Sequence, residues 1–260
     1  MRGIARSAAL ACIALFLLLS LRANAQALDD TSKERIGALI AAFKTGDKQV
    51  IAEYIAYPLW RMAPIPSIKN RQQFIARYDE VFDETIIGKI IASNIENDWS
   101  VVGSHGIMFA RGEMWIDFSG KIIGVNLLTE AEKRVRAQLI ADQRSKLHES
   151  VREFSEPLEE WITRKYHIRI DDMGDHDYRY AAWSLNKAVG DKPDIELFHG
   201  QITYQGNGGD CTYTFSNGKY KYVCSVYVMR QESEPPGELE VYKQGKRILD
   251  DFVVKDLLAQ

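Results

Sequence analysis

The stretch CTYTFSNGKYKYVC, Cys211–Cys224, narrows the possible fold more than any other part of the chain. An Asn-Gly pair between alternating runs is the strongest short-range hairpin signal, because both central residues of a type I′ turn need positive φ. Placing Asn217 and Gly218 in the turn pairs Phe215 with Tyr220, Tyr213 with Tyr222 and Cys211 with Cys224. The cysteine pair then falls on a non-hydrogen-bonded rung, where Cα atoms approach to roughly 4.5 Å, close enough for a disulfide. Tyr213, Phe215, Tyr220 and Tyr222 share the cysteine face, and Thr212, Thr214, Lys219 and Lys221 take the other. One face is expected to pack and the other to meet water.

A disulfide Cys211–Cys224 persists only in an oxidising compartment, and the other end of the chain points to one. Arg2 and Arg6 precede an apolar run from Ala8 to Leu21 and the small-residue site Ala23-Asn24-Ala25. This is the pattern of a signal peptide cleaved after Ala25, and the apolar run is short for a spanning helix. Cys12 leaves with the leader, so the mature chain keeps an even pair of cysteines, both in the hairpin. Cleavage also removes three arginines and no acid, leaving 30 basic against 36 acidic side chains. A net acidic balance argues against a general binder of nucleic acid or anionic membrane.

The first half opens with helical signals. Thr31 with Glu34 forms a capping box before Ile36, Leu39, Ile40 and Phe43 at helical spacing, and Gly46 is the stop. A short helix follows from Asp47 through Val50, Ile51 and Tyr54, then an extended connection forced by Pro58, Pro64 and Pro66. Asn70 with Gln73 caps a third helix carrying Phe74, Tyr78, Val81 and Phe82. From Trp99 to Leu128 the period changes to two, with glycines between the runs, as in an antiparallel meander with Met114, Ile116 and Phe118 on one face. Thr129 with Glu132 starts a helix with a narrow stripe of Val135, Leu139 and Ile140, read as a surface linker over 129–147.

The phrases IKNRQQFIARYDEVFDETI and DWSVVGSHGIMFARGEMWIDF, within Thr31–Leu128, resemble the nuclear transport factor two-like superfamily, which includes ketosteroid isomerase-like proteins. The resemblance implies a sheet wrapped round helices into a cone whose open end holds a small ligand. Candidates for that lining are Trp60, Tyr78, Asp98, His105, Trp115 and Asp117, with Tyr54 beside them. Core tyrosines, a turn cap at Asp98 and an exposed turn at His105 are the bland alternatives. No catalytic role transfers to any of these positions.

Beyond Leu147 the chain is rich in strands: WITRKYHIRI, YRYAAWSL, IELFHGQITYQG, the cysteine hairpin and ELEVYKQGKRIL, with Gln244-Gly245 closing a last hairpin. This spacing suits an antiparallel sandwich or small barrel. DDMGDHDY gathers Asp171, Asp172, Asp175, His176 and Asp177, but without the glycine and acid spacing of a calcium loop it reads as a polar turn. His167, His176 and His199 lack zinc-site spacing. No phosphate loop, dinucleotide fingerprint, Gly-x-Ser-x-Gly or His-Glu-x-x-His occurs.

The expectation is an α+β chain with a signal peptide over 1–25, a helical-cone domain with a curved antiparallel sheet over 26–128, the linker helix, and a mainly antiparallel β domain over 148–260. It is expected to be an exported, soluble envelope protein, periplasmic or secreted, needing no cofactor or metal and binding a small molecule or an envelope protein. Neither nucleic acid nor, after cleavage, membrane is an expected partner. The alternatives are an inhibitor or immunity protein against a wall-degrading or toxic enzyme, and an isomerase- or hydratase-like enzyme.

Overall fold

Asp29, in extended conformation, accepts a hydrogen bond from the Ser32 N–H at 2.7 Å and opens helix α1, Asp30–Lys44. The cap is therefore Asp29 and not Thr31, and Gly46 at φ 65° follows the helix end as expected. The computed structural model describes residues 28–205, 210–228 and 233–258, so the leader at 1–25 lies outside the described residues. The chain divides into two units, residues up to Leu59 with Ile68–Thr129, and Trp60–Ser67 with Glu130 onward.

In the first unit, α1 is followed by α2 (Lys48–Ile51), a single 3-10 turn, α3 (Arg71–Val81), α4 (Glu84–Ala92) and α5 (Ile95–Asp98). Asn70 caps α3 by accepting from Gln73 N–H at 3.0 Å, while Gln73 Oε1 accepts from Lys69 N–H at 2.8 Å. Strands β1 (Trp99–Val101), β2 (Ile107–Phe109), β3 (Met114–Ile116) and β4 (Ile122–Val125) form an antiparallel sheet in sequential order. Met114 and Ile116 face the core, whereas Phe118, beyond the strand, is 43% exposed. The core between helices and sheet is filled by Ile36, Leu39, Phe43, Phe74, Phe82, Ile107 and Ile122.

The second unit is built on a closed barrel of eight antiparallel strands: β5 (Glu156–Thr163), β6 (Tyr166–Gly174), β7 (Asp177–Ser184), β8 (Ile195–Tyr204), β9 (Cys211–Asn217), β10 (Tyr220–Val226), β11 (Gly237–Lys243) and β12 (Lys246–Asp256). Each strand pairs with its sequence neighbours, and β12 returns to β5 through Val253↔Thr163, Lys255↔Ile162 and Asp256↔Trp161. This is an up-and-down barrel, which leaves no free sheet edge. Trp161, Ile168, Ile170, Tyr178, Tyr180, Tyr213, Phe215, Leu239 and Val253 fill its interior.

Two expectations about the β9–β10 hairpin are corrected. The observed register pairs Asn217 with Tyr220, Tyr213 with Cys224 and Cys211 with Val226. The turn is Gly218-Lys219, with positive φ at Gly218 alone, as in a type II′ turn. Cys211 and Cys224 become diagonal neighbours on one face, and both are free, buried thiols. Because each partner moves by two residues, every side chain keeps its face. The Gln244-Gly245 turn and the polar turn Asp175-His176 each have two positive φ angles, as type I′ requires.

Helix α6 (Glu130–Lys146) packs Ile140 with Leu147, Val151 and Phe154 against Ala181 and Trp183 on the outer wall of the barrel. Val135, expected in its apolar stripe, is exposed, and Glu132 is wholly buried in an ion pair with Arg61. Under the same layer Asp171 accepts from Arg169 Nε at 2.8 Å and from Arg179 at 2.7 Å.

Candidate functional site

Alternation along the closed barrel sends Tyr180 and Ala182 of β7, Tyr222 of β10, Leu239 and Val241 of β11 and Leu249 of β12 toward the interior. At the end where the β5–β6, β7–β8, β9–β10 and β11–β12 connections gather, these side chains enclose a cavity of about 330 Å³. Tyr166, Ile195 and Tyr220 complete its wall, with Asp194 and the exposed Ile248 at the rim. The middle of the interior is packed by Trp161, Tyr213 and Phe215. Eight strands leave just enough room for such filling or for one small ligand.

The cup is aromatic and ordered by its own ring contacts. Tyr180 lies 5.6 Å from the ring centroids of both Tyr222 and Phe215. Burial pushes the Tyr180 phenol well above its ordinary pKa, with Cys224, Tyr222, Tyr166 and Asp251 adding to the effect. Burial raises Tyr222 as well, so both rings stay neutral at physiological pH. On the rim, the Lys219 and Lys243 ammonium groups stand 6.0 and 5.6 Å from the Tyr220 ring centroid. Asp194 bonds Lys187 and Ser184, and the Lys187 contact above all holds its carboxyl down to about 2.

Among the described residues, the carboxyl groups of Glu159 and Asp251 also face the interior. Glu159 of β5 accepts from the Trp161 indole at 2.9 Å, and burial followed by the nearby charge of Asp256 raises its pKa to about 8. It lines a second cavity of about 330 Å³ with Leu158, Val226 and Tyr227. Burial, with Glu159 adding, likewise lifts the Cys211 thiol to about 11, which keeps it protonated and a poor nucleophile. Asp251 of β12, opposite Leu239, is the other inward acid.

The residues singled out from the sequence are dispersed. Tyr78 is a core residue of the first unit, edge-on to Phe74 at 5.8 Å. Asp98 is exposed at the end of α5 and accepts from Asn94 N–H at 2.7 Å, and His105 is exposed in a 3-10 turn. Trp115 is half-buried on the face of β3 opposite Met114 and Ile116. Asp117 ties the β3–β4 turn by accepting from Ser119 and Lys121; burial opposes its ionisation, but these hydrogen bonds hold its pKa below the usual carboxylate range. Trp60 belongs to the other unit and is 52% exposed. Among the described residues no group of three or more His, Cys, Asp or Glu side chains is placed to hold a metal ion. The tyrosines of the cup were visible as alternating aromatics in YRYAAW and GKYKYVC, but only barrel closure brings them together.

The fold and cavity define a class, that of closed up-and-down barrels with a ligand-sized aromatic cup at one mouth. No family model, curated protein or solved structure matches the chain.

Proposed function

We propose that this is an exported binding protein whose barrel holds one small, largely apolar ligand in the cup between Tyr166, Tyr180, Tyr220 and Tyr222. The observation that carries the reading is the aromatic cavity of about 330 Å³ at the mouth of the barrel, walled by four tyrosines. Apolar walls supply the binding free energy at roughly 25 cal/mol per Å² removed from water, and the tyrosine hydroxyls supply orientation. Export belongs to the same proposal and rests on the leader pattern of residues 1–25, with cleavage after Ala25. The likeness of the first unit to nuclear transport factor two-like proteins is also proposed, supported by its order of helices followed by a four-stranded antiparallel sheet.

The test uses N-phenyl-1-naphthylamine, a neutral dye that brightens in apolar surroundings. The expected result is saturable binding of one dye per chain, abolished by Ala182→Trp, which fills the cup from its wall. Dye binding that is absent, or that survives this substitution unchanged, removes the cup from consideration.

A further inference from the structure

Four buried polar atoms have no hydrogen-bond partner among the described residues: Arg144 Nε, Asp177 Oδ1, Arg179 Nε and Asp251 Oδ2. The first three sit in groups that are otherwise engaged. Arg144 bonds the Phe154 carbonyl, Arg179 bonds Val151, Glu153 and Asp171, and Asp177 Oδ1 lies 3.3 Å from His199 Nδ1. Asp251 differs. It is 3% exposed, it faces the barrel interior between Leu249 and Val253, and no hydrogen bond reaches Oδ2.

Its place in the barrel gives that orphan a use. Leu239, directly across from Asp251, and Leu249, the previous inward residue of β12, both line the cup. Asp251 is thus the cross-strand and same-face neighbour of two residues of the cavity wall without itself lining it, and its charge is the least of those that raise the Tyr180 phenol. Asp194 at the rim is taken by Lys187 and Ser184, and Glu159 accepts from Trp161. Of these three carboxyl groups, Asp251 is the one with a buried oxygen that no hydrogen bond reaches, and it adjoins the cup through Leu239 and Leu249. Tyr166, Tyr180 and Tyr222 line the cup itself, and the faces of tyrosine rings attract cations.

We propose that the ligand of the cup is an amine, with a primary ammonium group directed at Asp251 and an apolar body held between the tyrosines. An ammonium brings three donors and no acceptor, which matches a buried carboxyl oxygen without a donor beside a tyrosine-lined cup. This inference rests on the cup being a ligand site, and it adds the charge and the polarity of what enters.

Displacement of N-phenyl-1-naphthylamine from the full-length mature chain tests it with two probes of one size, 2-phenylethylamine and 2-phenylethanol, and the slightly larger 3-phenylpropanoate. At neutral pH the amine is expected to compete at least tenfold better than the alcohol, and the carboxylate worst. Asp251→Asn is expected to remove that advantage while leaving the alcohol within about twofold. Asp251→Leu, matching the neighbours Leu249 and Val253, is the second variant if the amide does not fold. Equal affinity for amine and alcohol, or an amine preference that survives both substitutions, overturns the proposal and leaves the cup standing. A dye that never binds, or whose binding ignores Ala182→Trp, overturns cup and amine together.

Discussion

Gly200 shows how tightly the lower barrel is fitted around one side chain. A Cβ at this position would lie 2.2 Å from the Phe215 ring, whose centroid is 5.6 Å from that of Tyr180. The obstacle is space, and a ring pinned in a filled core has nowhere to move. Gly200→Ala is expected to destabilise the barrel by about 2 kcal/mol or more, read as a lower urea midpoint with an unchanged slope. Asp251 predicts the opposite sign. An unpartnered buried acceptor costs about 1–3 kcal/mol, and replacing it with an apolar group of similar size returns that loss. Asp251→Leu should therefore raise the thermal midpoint of the free protein, and a lowered midpoint would mean that the carboxyl supports the fold.

At the scale of the element, the β9–β10 turn separates what the sequence could and could not tell. The Asn-Gly signal locates the hairpin to within one residue, and strand alternation assigns every face correctly. The register is another matter, because Asn-Gly fits a type I′ turn on Asn217-Gly218 while Gly218 also suits the first position of a type II′ turn on Gly218-Lys219. Barrel neighbours decide between them: β9 must also match β8 through Ile202↔Tyr213, and β10 must match β11 through Cys224↔Leu239. No local pattern contains those pairings. The two turns predict different mutants. Gly218→Ala places a side chain at φ 58° and should cost about 1–2 kcal/mol, whereas Asn217→Ala, in extended backbone, should be nearly neutral by urea titration. Helix α4 was unreadable for a similar reason: ETIIGKIIA is rich in β-branched residues, and its helical state depends on the Asp83 cap and on burial of Ile86 and Ile90. The ion pair of Arg61 with Glu132 was equally hidden, since 71 residues separate partners that are both fully buried. Arg61→Ala takes the guanidinium away from that buried carboxylate and should cost about 3 kcal/mol or more of stability in the barrel unit, read as a lower urea midpoint.

At the scale of the molecule, the barrel exists only because its last strand returns to its first, and an acid pair is built into that seam. Glu159 lies on β5 two residues from Trp161, the cross-strand partner of Asp256 on β12. Burial first, and then the Asp256 charge, lift Glu159 from 4.5 to about 8, so the folded barrel holds a proton that the unfolded chain gives up. A carboxyl raised in this way contributes its full stability below the unfolded value of 4.5; the contribution shrinks as pH climbs toward 8 and is gone above it. The whole change is on the order of a few kcal/mol. Amide hydrogen exchange across β5 and β12, compared with Glu159→Gln at the same pH so that intrinsic exchange rates cancel, reads this at the seam itself. Protection in the native chain should fall relative to the glutamine variant between pH 5 and pH 8 and then run parallel to it. A constant ratio across that range would mean that Glu159 ionises in the barrel as it does in water, and that the seam closes without holding a proton.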